Sequence, residues 1–582
     1  MHLPRRVPTS SAALLAYAAI SFGYFGWRLL PHPGRELVGL GGESDAEIFV
    51  WSFAWWPHAI LARTNPFFSH VVYAPTGINL AWVTSVPGLA LAFSPVTLLF
   101  GPAVSYNLAA VLLPALSAWT AFLFLRYLTG SPWAALVGGY LYGFSSYVLG
   151  HELASHLNLT GVFLVPLGAL VLLRHARGEL ASRRLLWQLG LIVAGQISIS
   201  TEVATTATIA LLLALVLALV LLRGARPWLR SALAPVAAAY ALAALLTAPL
   251  LYYAATGIGQ GAVEHLAPLF SADLLNTVLP TRVTAAGGDV LRSVSGRFPG
   301  DDAERGSYLG PPALLVVALL ALRSPRPAAV PFLLAAFATA TFLSLGNALY
   351  VAGHRVVSLP WSLPSRVTGL ESVLPSRFSL YAALAVATMV AIWIASARGG
   401  LLRPYVVPAL AVAAIFPPVW SADGVHRPAR VAFFSDGISA RCFPAGETLL
   451  VFPFGRWGES LLWQAESGFR FDLVGGTLAH NDQPSSFAGD PTVARLLFDF
   501  LDPAARPSMD ELRGLAARRG VDRVVSADQT DAYPSATDMR SFGPVRRVGG
   551  VFVAPACGRP SLAGDARPAR AAPGPAGRRS IH

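Results

Sequence analysis

The chain has 582 residues, of which 54% are hydrophobic and only 13% charged, and its formal net charge is +12 at pH 7. Soluble domains are about a quarter charged, so this composition indicates a membrane protein rather than a soluble enzyme. The basic residues are all Arg and lie mainly in loops between apolar runs, where they orient helices. The positive charge therefore does not indicate nucleic-acid binding.

Apolar runs long enough to cross a ~30 Å hydrocarbon layer recur along the chain. The first begins like a signal peptide but has no small-residue cleavage site, which predicts a retained helix. Short loops that carry Arg are expected on the cytoplasmic side of a membrane. All of these loops lie on that side only if the apolar run at 86–102 does not cross the membrane. We predict an all-α polytopic protein of a bacterial plasma membrane, with about eleven spans, a cytoplasmic N-terminus and an outer C-terminal region. The predicted spans are 11–30, 105–125, 133–149, 157–173, 185–200, 203–222, 229–255, 307–322, 328–351, 378–397 and 402–420.

The first outer loop carries three acids, Glu43, Asp45 and Glu47, in the stretch "GGESDAEIFVWSFAWW". The apolar spacing after them predicts an amphipathic helix over 48–60 at the membrane interface, and the run at 86–102 predicts a second, proline-broken one. Asp45 could simply cap the first helix, where the helix dipole favours negative charge. A cap explains one acid and not three, so Asp45 and Glu43 are candidate bases for an acceptor hydroxyl.

Further polar residues fall in the predicted outer turns. The stretch "GHELASHLNLT" holds His151, His156 and Asn158, which are either interfacial polar residues or contacts to a sugar or phosphate. Their spacing gives no support to a metal site. Glu202 lies in a tight turn between two spans, either exposed or lining a cleft.

The second outer loop contains the stretch "GRFPGDDAERGSYLGPP", in which Glu304 belongs to an acidic cluster before a span. Such a cluster is a solvated loop, a charge group at the N-terminus of the next helix, or a binding site for a sugar or cation. Arg377 lies at the outer end of the span that follows "LPSRFSLY", where it either snorkels to the interface or pairs bidentately with a lipid-linked phosphate.

The polar region after the last span predicts a small outer α/β domain over 421–558. The stretch "GETLLVFPF" is typical of a strand, and "MDELRGLAARRGVDRVVSA" of a helix followed by a strand. Cys442 and Cys557 both lie there, and an exported compartment permits a disulfide between them. The Arg/Pro/Ala-rich tail at 559–582 is typical of disorder.

The layout of residues 1–420 resembles the C-type glycosyltransferase (GT-C) superfold, which has an acidic motif after the first span and two interfacial helices in the first outer loop. The stretches "LLFGPAVSYNLAAVLLPALSAWTAFLFLRYLTGSPWAALVGGYLYGFS", "YLGPP" and "LPSRFSLY" add to this resemblance. It implies transfer of a sugar from a polyprenyl-phosphate donor to an outer glycan or lipid acceptor, usually with inversion.

The resemblance also implies residue roles. Asp45 would be the general base and Glu43 the second choice, because the motif E-S-D departs from a clean acidic pair. Arg377 would bind the donor phosphate, and His156, Glu202 and Glu304 would line the sugar cleft. Family members differ in their use of a divalent cation, so no cofactor follows from the resemblance.

Two other functions compete with this interpretation. A transporter or flippase of lipid-linked sugars would also need many spans, but the apolar pattern has no internal repeat. A scaffold could act through its outer domain, where Trp457 and Trp463 would stack on sugars or belong to a core. P-loop, dinucleotide-binding, zinc-protease and nucleophile-elbow motifs are absent from the sequence, so ATP-driven transport and soluble hydrolase chemistry have no support.

Overall fold

The computed structural model describes residues 7–41, 45–222, 224–257, 270–287, 289–322, 329–362, 373–397, 400–419, 424–455, 458–476, 478, 489–498, 506–529 and 533–562. The α-helices are α1 (Val7–Ser21), α2 (Ala46–Leu61), α3 (Pro87–Ala92), α4 (Ser94–Phe100), α5 (Pro102–Thr129), α6 (Pro132–Gly143), α7 (Ser146–Leu153), α8 (Leu157–Thr160), α9 (Leu164–Ala176), α10 (Ser182–Ile199), α11 (Thr201–Leu221), α12 (Ala225–Leu246), α13 (Ala248–Thr256), α14 (Arg292–Ser295), α15 (Pro311–Leu322), α16 (Val330–Ser344), α17 (Ser379–Ala395), α18 (Val407–Ala414), α19 (Ala432–Ser435), α20 (Ser439–Cys442), α21 (Ser460–Glu466), α22 (Pro491–Phe498) and α23 (Met509–Arg519). The strands are β1 (Leu37–Val38), β2 (Phe68–Ser69), β3 (Ile78–Asn79), β4 (Ala348–Val351), β5 (His354–Ser358), β6 (Val425–His426), β7 (Thr448–Phe452), β8 (Asp472–Leu473), β9 (Arg523–Ala527), β10 (Arg546–Val548) and β11 (Val551–Ala554).

Within the described ranges, five helical segments are long and apolar enough to cross a membrane. They are Pro102–Thr129, Leu157–Ala176, Thr201–Leu221, Arg226–Leu246 and Pro375–Ala395. Three shorter apolar helices, Pro311–Leu322, Val330–Ser344 and Leu402–Ala414, coincide with other predicted spans. The chain is thus a mostly helical, multi-pass membrane protein, and the count of about eleven spans stays a prediction.

Several predicted spans differ from the helices in detail. The span predicted at 133–149 is interrupted between α6 and α7, and the one at 229–255 is interrupted at Thr247. The span predicted at 328–351 is wrong at its end, because α16 ends at Ser344 and β4 pairs with β5 in a hairpin. The apolar residues of β4 continue the hydrophobic run of the helix, so composition alone did not mark the boundary. The run at 86–102 forms two short helices, α3 and α4.

Contacts between Cα atoms divide the chain into two units. The first comprises Met1–Ala46, Tyr106–Pro249 and Glu264–His426, and it contains most of the apolar helices. In one of its cores Val171, Leu185 and Ala239 bring α9, α10 and α12 together. The packing of α5 against α6 depends on Gly143, because a Cβ atom there would lie 2.3 Å from the backbone nitrogen of Ala118. Close helix packing of this kind is typical of membrane helices with small residues at their contacts.

The second unit comprises Glu47–Ser105, Leu250–Val263 and Arg427–His582. Its five-stranded sheet has the order β10-β11-β9-β7-β8, with β7 parallel to β8 and β9 and with β11 antiparallel to β9. The two stretches that the sequence assigned to a strand and to a helix–strand pair form β7, α23 and β9. Ser508 and Glu511 form a capping box at the start of α23, and Gly520 ends it in a left-handed conformation.

The tryptophan-rich helix α2 belongs to the core of this second unit. The indole nitrogen of Trp51 donates to Gln464 Oε1 at 2.7 Å, and Gln464 in turn donates to the carbonyl of Phe471. Phe53 and Trp56, which lie off the predicted apolar stripe, are also buried. The helix is therefore buried on more faces than its amphipathic spacing predicted, because residues distant in sequence cover it.

The remaining predictions for the outer region concern the cysteines, the tryptophans and the tail. A disulfide joins Cys442 to Cys557, and it closes a segment of 115 residues. Trp463 is fully buried, as a core residue would be, whereas Trp457 lies outside the described residues. Most of the tail predicted at 559–582 also lies outside them.

A buried ion pair joins the first residue of β9 to the residue just before β7, since Arg523 donates to both carboxylate oxygens of Glu447 at 2.7 and 3.1 Å. We expect Arg523→Met to lower the free energy of unfolding by about 3–5 kcal/mol, because Glu447 would remain buried without its partner. Arg547→Met is the matched control, since the side chain of Arg547 is 72% exposed and its pair with Asp528 should contribute less than about 1 kcal/mol. Tryptophan-fluorescence unfolding of the full chain measures both, and equal losses would contradict this assignment.

Candidate active site

The candidate site is built around the guanidinium of Arg377, whose side chain is only 12% exposed. Arg377 lies in the 3-10 turn Pro375–Phe378, which leads directly into α17. Its Nη1 forms an ion pair with Glu202, and its Nε and Nη2 donate to Oε1 of Glu304 at 3.1 and 2.9 Å. One buried cation therefore binds two carboxyl groups that are far apart in the sequence.

Glu202 reaches Arg377 from the first turn of α11. Ser200 precedes that helix as its N-cap, and its hydroxyl accepts a hydrogen bond from the amide of Val203 at 3.2 Å. A carboxylate in the first turn is favoured by the partial positive charge of the helix N-terminus. The second oxygen of Glu202, Oε1, is buried and has no hydrogen-bond partner among the residues that the structure describes.

Glu304 reaches Arg377 from the opposite side, in the loop before α15. Its Oε2 accepts a 2.6 Å hydrogen bond from the hydroxyl of Ser376, and its amide donates to Asp301. Burial and the nearby Asp301 carboxylate raise the pKa of Glu304 to about 8, and the Ser376 hydrogen bond acts in the opposite direction. Glu304 is therefore an acid that exchanges its proton close to neutral pH.

The loop that carries Glu304 lies directly on α7, because glycines occupy the contact. A Cβ atom at Gly150 would lie 3.0 Å from the carbonyl oxygen of Ala303, and one at Gly306 would lie 2.8 Å from Cα of Tyr147. Any larger residue at position 306 would push the loop away from the helix. The loop and α7 thus bring Glu304 towards His151, which lies in the last turn of α7.

Two histidines and Asp45 form the other half of the site. The Nδ1 atoms of His151 and His156 are 3.1 Å apart, and His156 Nε2 lies 3.6 Å from Oδ2 of Asp45. Asp45 is also close enough to Arg377 for the two charges to interact. Asp45, the histidines, Glu304, Arg377 and Glu202 therefore form one continuous polar cluster.

Strand β1 holds the histidine turn next to the segment that leads to Asp45. The amide of Leu40 donates to the carbonyl of Leu153 at 2.7 Å, and the Ser155 hydroxyl donates to the carbonyl of Val38 at 3.1 Å. Gly39 has φ +109°, and a Cβ atom there would lie 1.9 Å from Ser155 Oγ, so only glycine fits. The positions of Asp45 and His156 are thus coupled through the backbone.

Not every predicted site residue belongs to this cluster. Glu43 lies outside the described residues, whereas Asp45 is described. Asn158 is buried in α8, and within the described ranges it makes no hydrogen bond to the cluster. Sequence reasoning missed the role of Ser376, although it stands beside Arg377, and it missed Tyr147, whose ring lies 4.4 Å from that of His151.

The cluster contains three side chains that could share a metal ion. One ligand atom each from His151, His156 and Glu304 lies within 4.8 Å of the others, and imidazole with carboxylate suits several divalent transition metals. Within the described part of the chain, Nε2 of His151 is buried and has no hydrogen-bond partner, so this atom could act as a metal ligand. Both oxygens of Glu304 already accept hydrogen bonds, so a metal ion would have to replace contacts to Ser376 or Arg377.

An apolar cavity of about 280 Å³ extends between helices of the first unit next to Arg377. Its lining includes Phe378, the residue that follows Arg377, as well as Tyr381 in the first turn of α17 and residues of α9, α10, α11 and α16. The hydroxyl of Tyr381 lies 2.8 Å from that of Thr206, so its polar end is satisfied. The cavity, whose lining includes the sequence neighbour of Arg377, is therefore a space suited to a hydrocarbon chain.

Two solved structures that are similar to this chain are glycosyltransferases by name. The arabinofuranosyltransferase AftD from Mycobacteria matches with a TM-score of 0.59 and 17% identity over 95% of this chain, and the match covers 40% of AftD. The oligosaccharyltransferase of Archaeoglobus fulgidus matches with a TM-score of 0.53 and 12% identity over 91% of this chain and 71% of the other. The chain therefore has the GT-C fold, while it spans only about two-fifths of the length of AftD.

The family model "Domain of unknown function (DUF6311)" matches residues 13–416, and the chain belongs to that family. No protein of curated function matches the chain in sequence.

The raised pKa of Glu304 predicts a specific dependence of stability on pH. The ordinary pKa of a glutamate is 4.5, and burial favours the neutral carboxyl of Glu304 in the folded protein. The resulting contribution to the free energy of unfolding is complete below about pH 4.5 and is lost as the pH rises towards about 8. When the pH is raised from 5 to 9, we expect the thermal midpoint of the wild type to decrease more than that of Glu304→Gln. Glu179→Gln, which alters an exposed acid, should keep the wild-type profile. Parallel profiles for wild type and Glu304→Gln would contradict the raised pKa.

Proposed function

We propose that this chain is a membrane glycosyltransferase of the bacterial cell envelope. It moves a hexosyl or pentosyl group from a polyprenyl-phosphate donor to an extracytoplasmic glycan or lipid acceptor, with inversion at the anomeric carbon. The GT-C fold makes a glycosyltransferase the first hypothesis, but a fold alone does not define a function. The observation that carries the proposal is the position of Arg377, a buried cation next to an apolar cavity.

A polyprenyl phosphate has the two chemical properties that this arrangement matches. Its isoprenoid chain suits the cavity lined by Phe378 and Tyr381, and its phosphate suits the guanidinium of Arg377. Arg377 already contacts two carboxyl groups, Glu202 and Glu304. Since the pKa of Glu304 is about 8, this acid can be neutral at pH 7, which leaves part of the charge of Arg377 for the phosphate.

Asp45 is the residue we propose as general base. It accepts the proton of an acceptor hydroxyl, and the oxygen then attacks the anomeric carbon of the donor sugar. The bond between that carbon and the phosphate oxygen breaks, and its electron pair leaves with the polyprenyl phosphate. Attack and departure on opposite faces of the sugar invert the configuration.

The roles of the other residues follow from their contacts. Arg377 stabilises the additional negative charge of the leaving phosphate, which is greatest in the transition state. His156, 3.6 Å from Asp45, orients the base, and His151 supports His156 from the other side. A divalent cation held by His151, His156 and Glu304 would supply further positive charge for the leaving group.

The proposal predicts a large loss of activity in Asp45→Asn. Removing a general base lowers kcat by about 10²–10⁴-fold, whereas donor binding through Arg377 should change little. The measurement is sugar transfer by the purified full chain from a panel of polyprenyl-phosphate sugars to cell-envelope glycan. Asp436→Asn, the same change at an exposed acid of the second unit, is the control and should retain wild-type turnover.

The outcomes of this assay separate the competing hypotheses. Unchanged turnover in Asp45→Asn would reject Asp45 as the base, and a loss in Glu43→Gln alone would assign that role to Glu43. Movement of the lipid-linked sugar across a vesicle membrane without transfer to any acceptor would favour the flippase and contradict the transferase.

A further inference from the structure

The backbone on both sides of the Arg377–Glu304 ion pair is attached to residues 270–279, which we call the brace segment. At its start, the carbonyl of Phe270 accepts a hydrogen bond from the amide of Ser376 at 3.1 Å. Ser376 is the residue before Arg377, so this contact fixes the backbone from which the guanidinium extends. The brace segment therefore supports the cationic half of the pair.

Asn276 attaches the brace segment to the loop that carries Glu304. Its Oδ1 accepts a hydrogen bond from the amide of Ser307 at 3.0 Å, and its Nδ2 donates to the carbonyl of Leu279 at 3.2 Å. One end of the side-chain amide only accepts and the other only donates, so these two partners determine its orientation. Asn276 is 1% exposed, and water therefore does not compete for either hydrogen bond.

The brace segment is itself held firmly by the buried carboxylate of Asp273. This carboxylate caps the 3-10 turn Leu274–Thr277 by accepting from the amide of Leu275 at 2.9 Å. It also accepts from the amides of Ala352 and Gly353, at 3.1 and 2.7 Å, in the turn between β4 and β5. Hydrogen bonds from amides to an ionised carboxylate are among the stronger ones, so the segment is a fixed support for the loop of Asn276's partner.

We propose that Asn276 is a positioning residue that acts through Glu304 on the guanidinium of Arg377. Ser307 lies three residues after Glu304 in the same loop, so a shift of Ser307 moves the carboxylate that accepts from Arg377 Nη2 at 2.9 Å. The consequence for catalysis rests on the proposed transferase function, in which Arg377 binds the donor phosphate and stabilises it as it leaves. A misplacement of about 1 Å in such an arrangement can lower the rate about 100-fold.

The substitution Asn276→Leu removes the attachment while keeping a side chain of similar size. Leucine can neither accept from the amide of Ser307 nor donate to the carbonyl of Leu279. Leaving a buried backbone amide without its acceptor is costly, so we expect the loop to move until Ser307 finds another partner. That movement carries Glu304 away from Arg377.

The test compares Asn276→Leu in two backgrounds, the wild type and Glu304→Ala. With the purified full chain and a polyprenyl-phosphate sugar as donor, we expect Asn276→Leu to lower kcat/KM of the wild type by about tenfold or more. In Glu304→Ala the same substitution should lower kcat/KM by less than about twofold, because the carboxylate that Asn276 positions is already absent. A merely structural role would give equal losses in both backgrounds. Equal losses, or no loss in the wild type, would overturn the proposal.

Asn79→Leu is the matched control, because Asn79 makes the same pair of contacts in the second unit. Its Oδ1 accepts from the amide of Ala81 at 3.0 Å, and its Nδ2 donates to the carbonyl of Tyr253 at 2.7 Å. We expect Asn79→Leu to retain the wild-type kcat/KM. Thermal unfolding of each variant establishes that it is folded at the assay temperature.

Asn276→Asp is the conservative variant, since it keeps the acceptor for Ser307 and loses only the donor to Leu279. We expect its kcat/KM to stay within about threefold of the wild type. A larger loss would contradict the proposal, because the contact to Leu279 would then be the important one. This variant carries the test if Asn276→Leu does not fold.

A structure of Asn276→Leu, determined by cryo-electron microscopy, separates this proposal from the proposed function. We expect the distance between Arg377 Nη2 and Glu304 Oε1 to exceed about 3.5 Å, compared with 2.9 Å in the wild type. This measurement needs no turnover. If the wild type transfers no sugar, the proposed function is rejected, while a lengthened contact still supports the positioning of Glu304 by Asn276. An unchanged contact would overturn that positioning role.

Discussion

The architecture of the site depends on the burial of one positive charge, the guanidinium of Arg377. Moving an ion out of water costs several kcal/mol even in real proteins, and this cost is met only by close partners with good geometry. Arg377 has them in Glu202 and Glu304, which come from the start of α11 and from the loop before α15. Neither acid is near Arg377 in sequence. The charge therefore fixes the relative positions of three elements, and replacing a single partner would leave the others buried and unsatisfied.

Close backbone packing makes this convergence feasible. Gly39 allows strand β1 to contact the histidine turn, and Gly150 and Gly306 allow the loop of Glu304 to lie on α7. Each is a place where a side chain would separate two elements that carry functional groups. Rigid support of this kind would hold the proposed base Asp45, the neighbouring His156 and the proposed phosphate ligand Arg377 in one geometry, as displacement in line with a leaving group requires. Glycine at these positions is thus part of the site even though it makes no chemical contact.

Sequence reasoning was more successful with the charged residues of the candidate site than with the contacts and the cavity that surround them. Acids and arginines in or near apolar spans are costly, and this cost together with the GT-C resemblance selected Asp45, Glu202, Glu304 and Arg377. The sequence did not reveal the hydrogen bond from Ser376 to Glu304, because burying a serine costs far less than burying a charge and so does not mark the residue. It also could not predict the apolar cavity, since residues from separate helices form its wall. The fold could also be predicted only in part. Hydropathy located apolar helices, but it did not separate β4 of the β4–β5 hairpin from the apolar run of α16. The burial of α2 depends on partners distant in sequence, such as Gln464.

In the proposed enzyme, Arg377 holds the phosphate of a polyprenyl donor at the end of the apolar cavity. A structure of the full chain with polyprenyl phosphate bound, determined by cryo-electron microscopy, tests it most directly. We expect phosphate oxygens within about 3 Å of the guanidinium nitrogens of Arg377, with the isoprenoid chain against Phe378 and Tyr381. We also expect at least one of the contacts to Glu202 and Glu304 to be released. A lipid bound elsewhere, with Arg377 still paired to both acids, would contradict this role of Arg377.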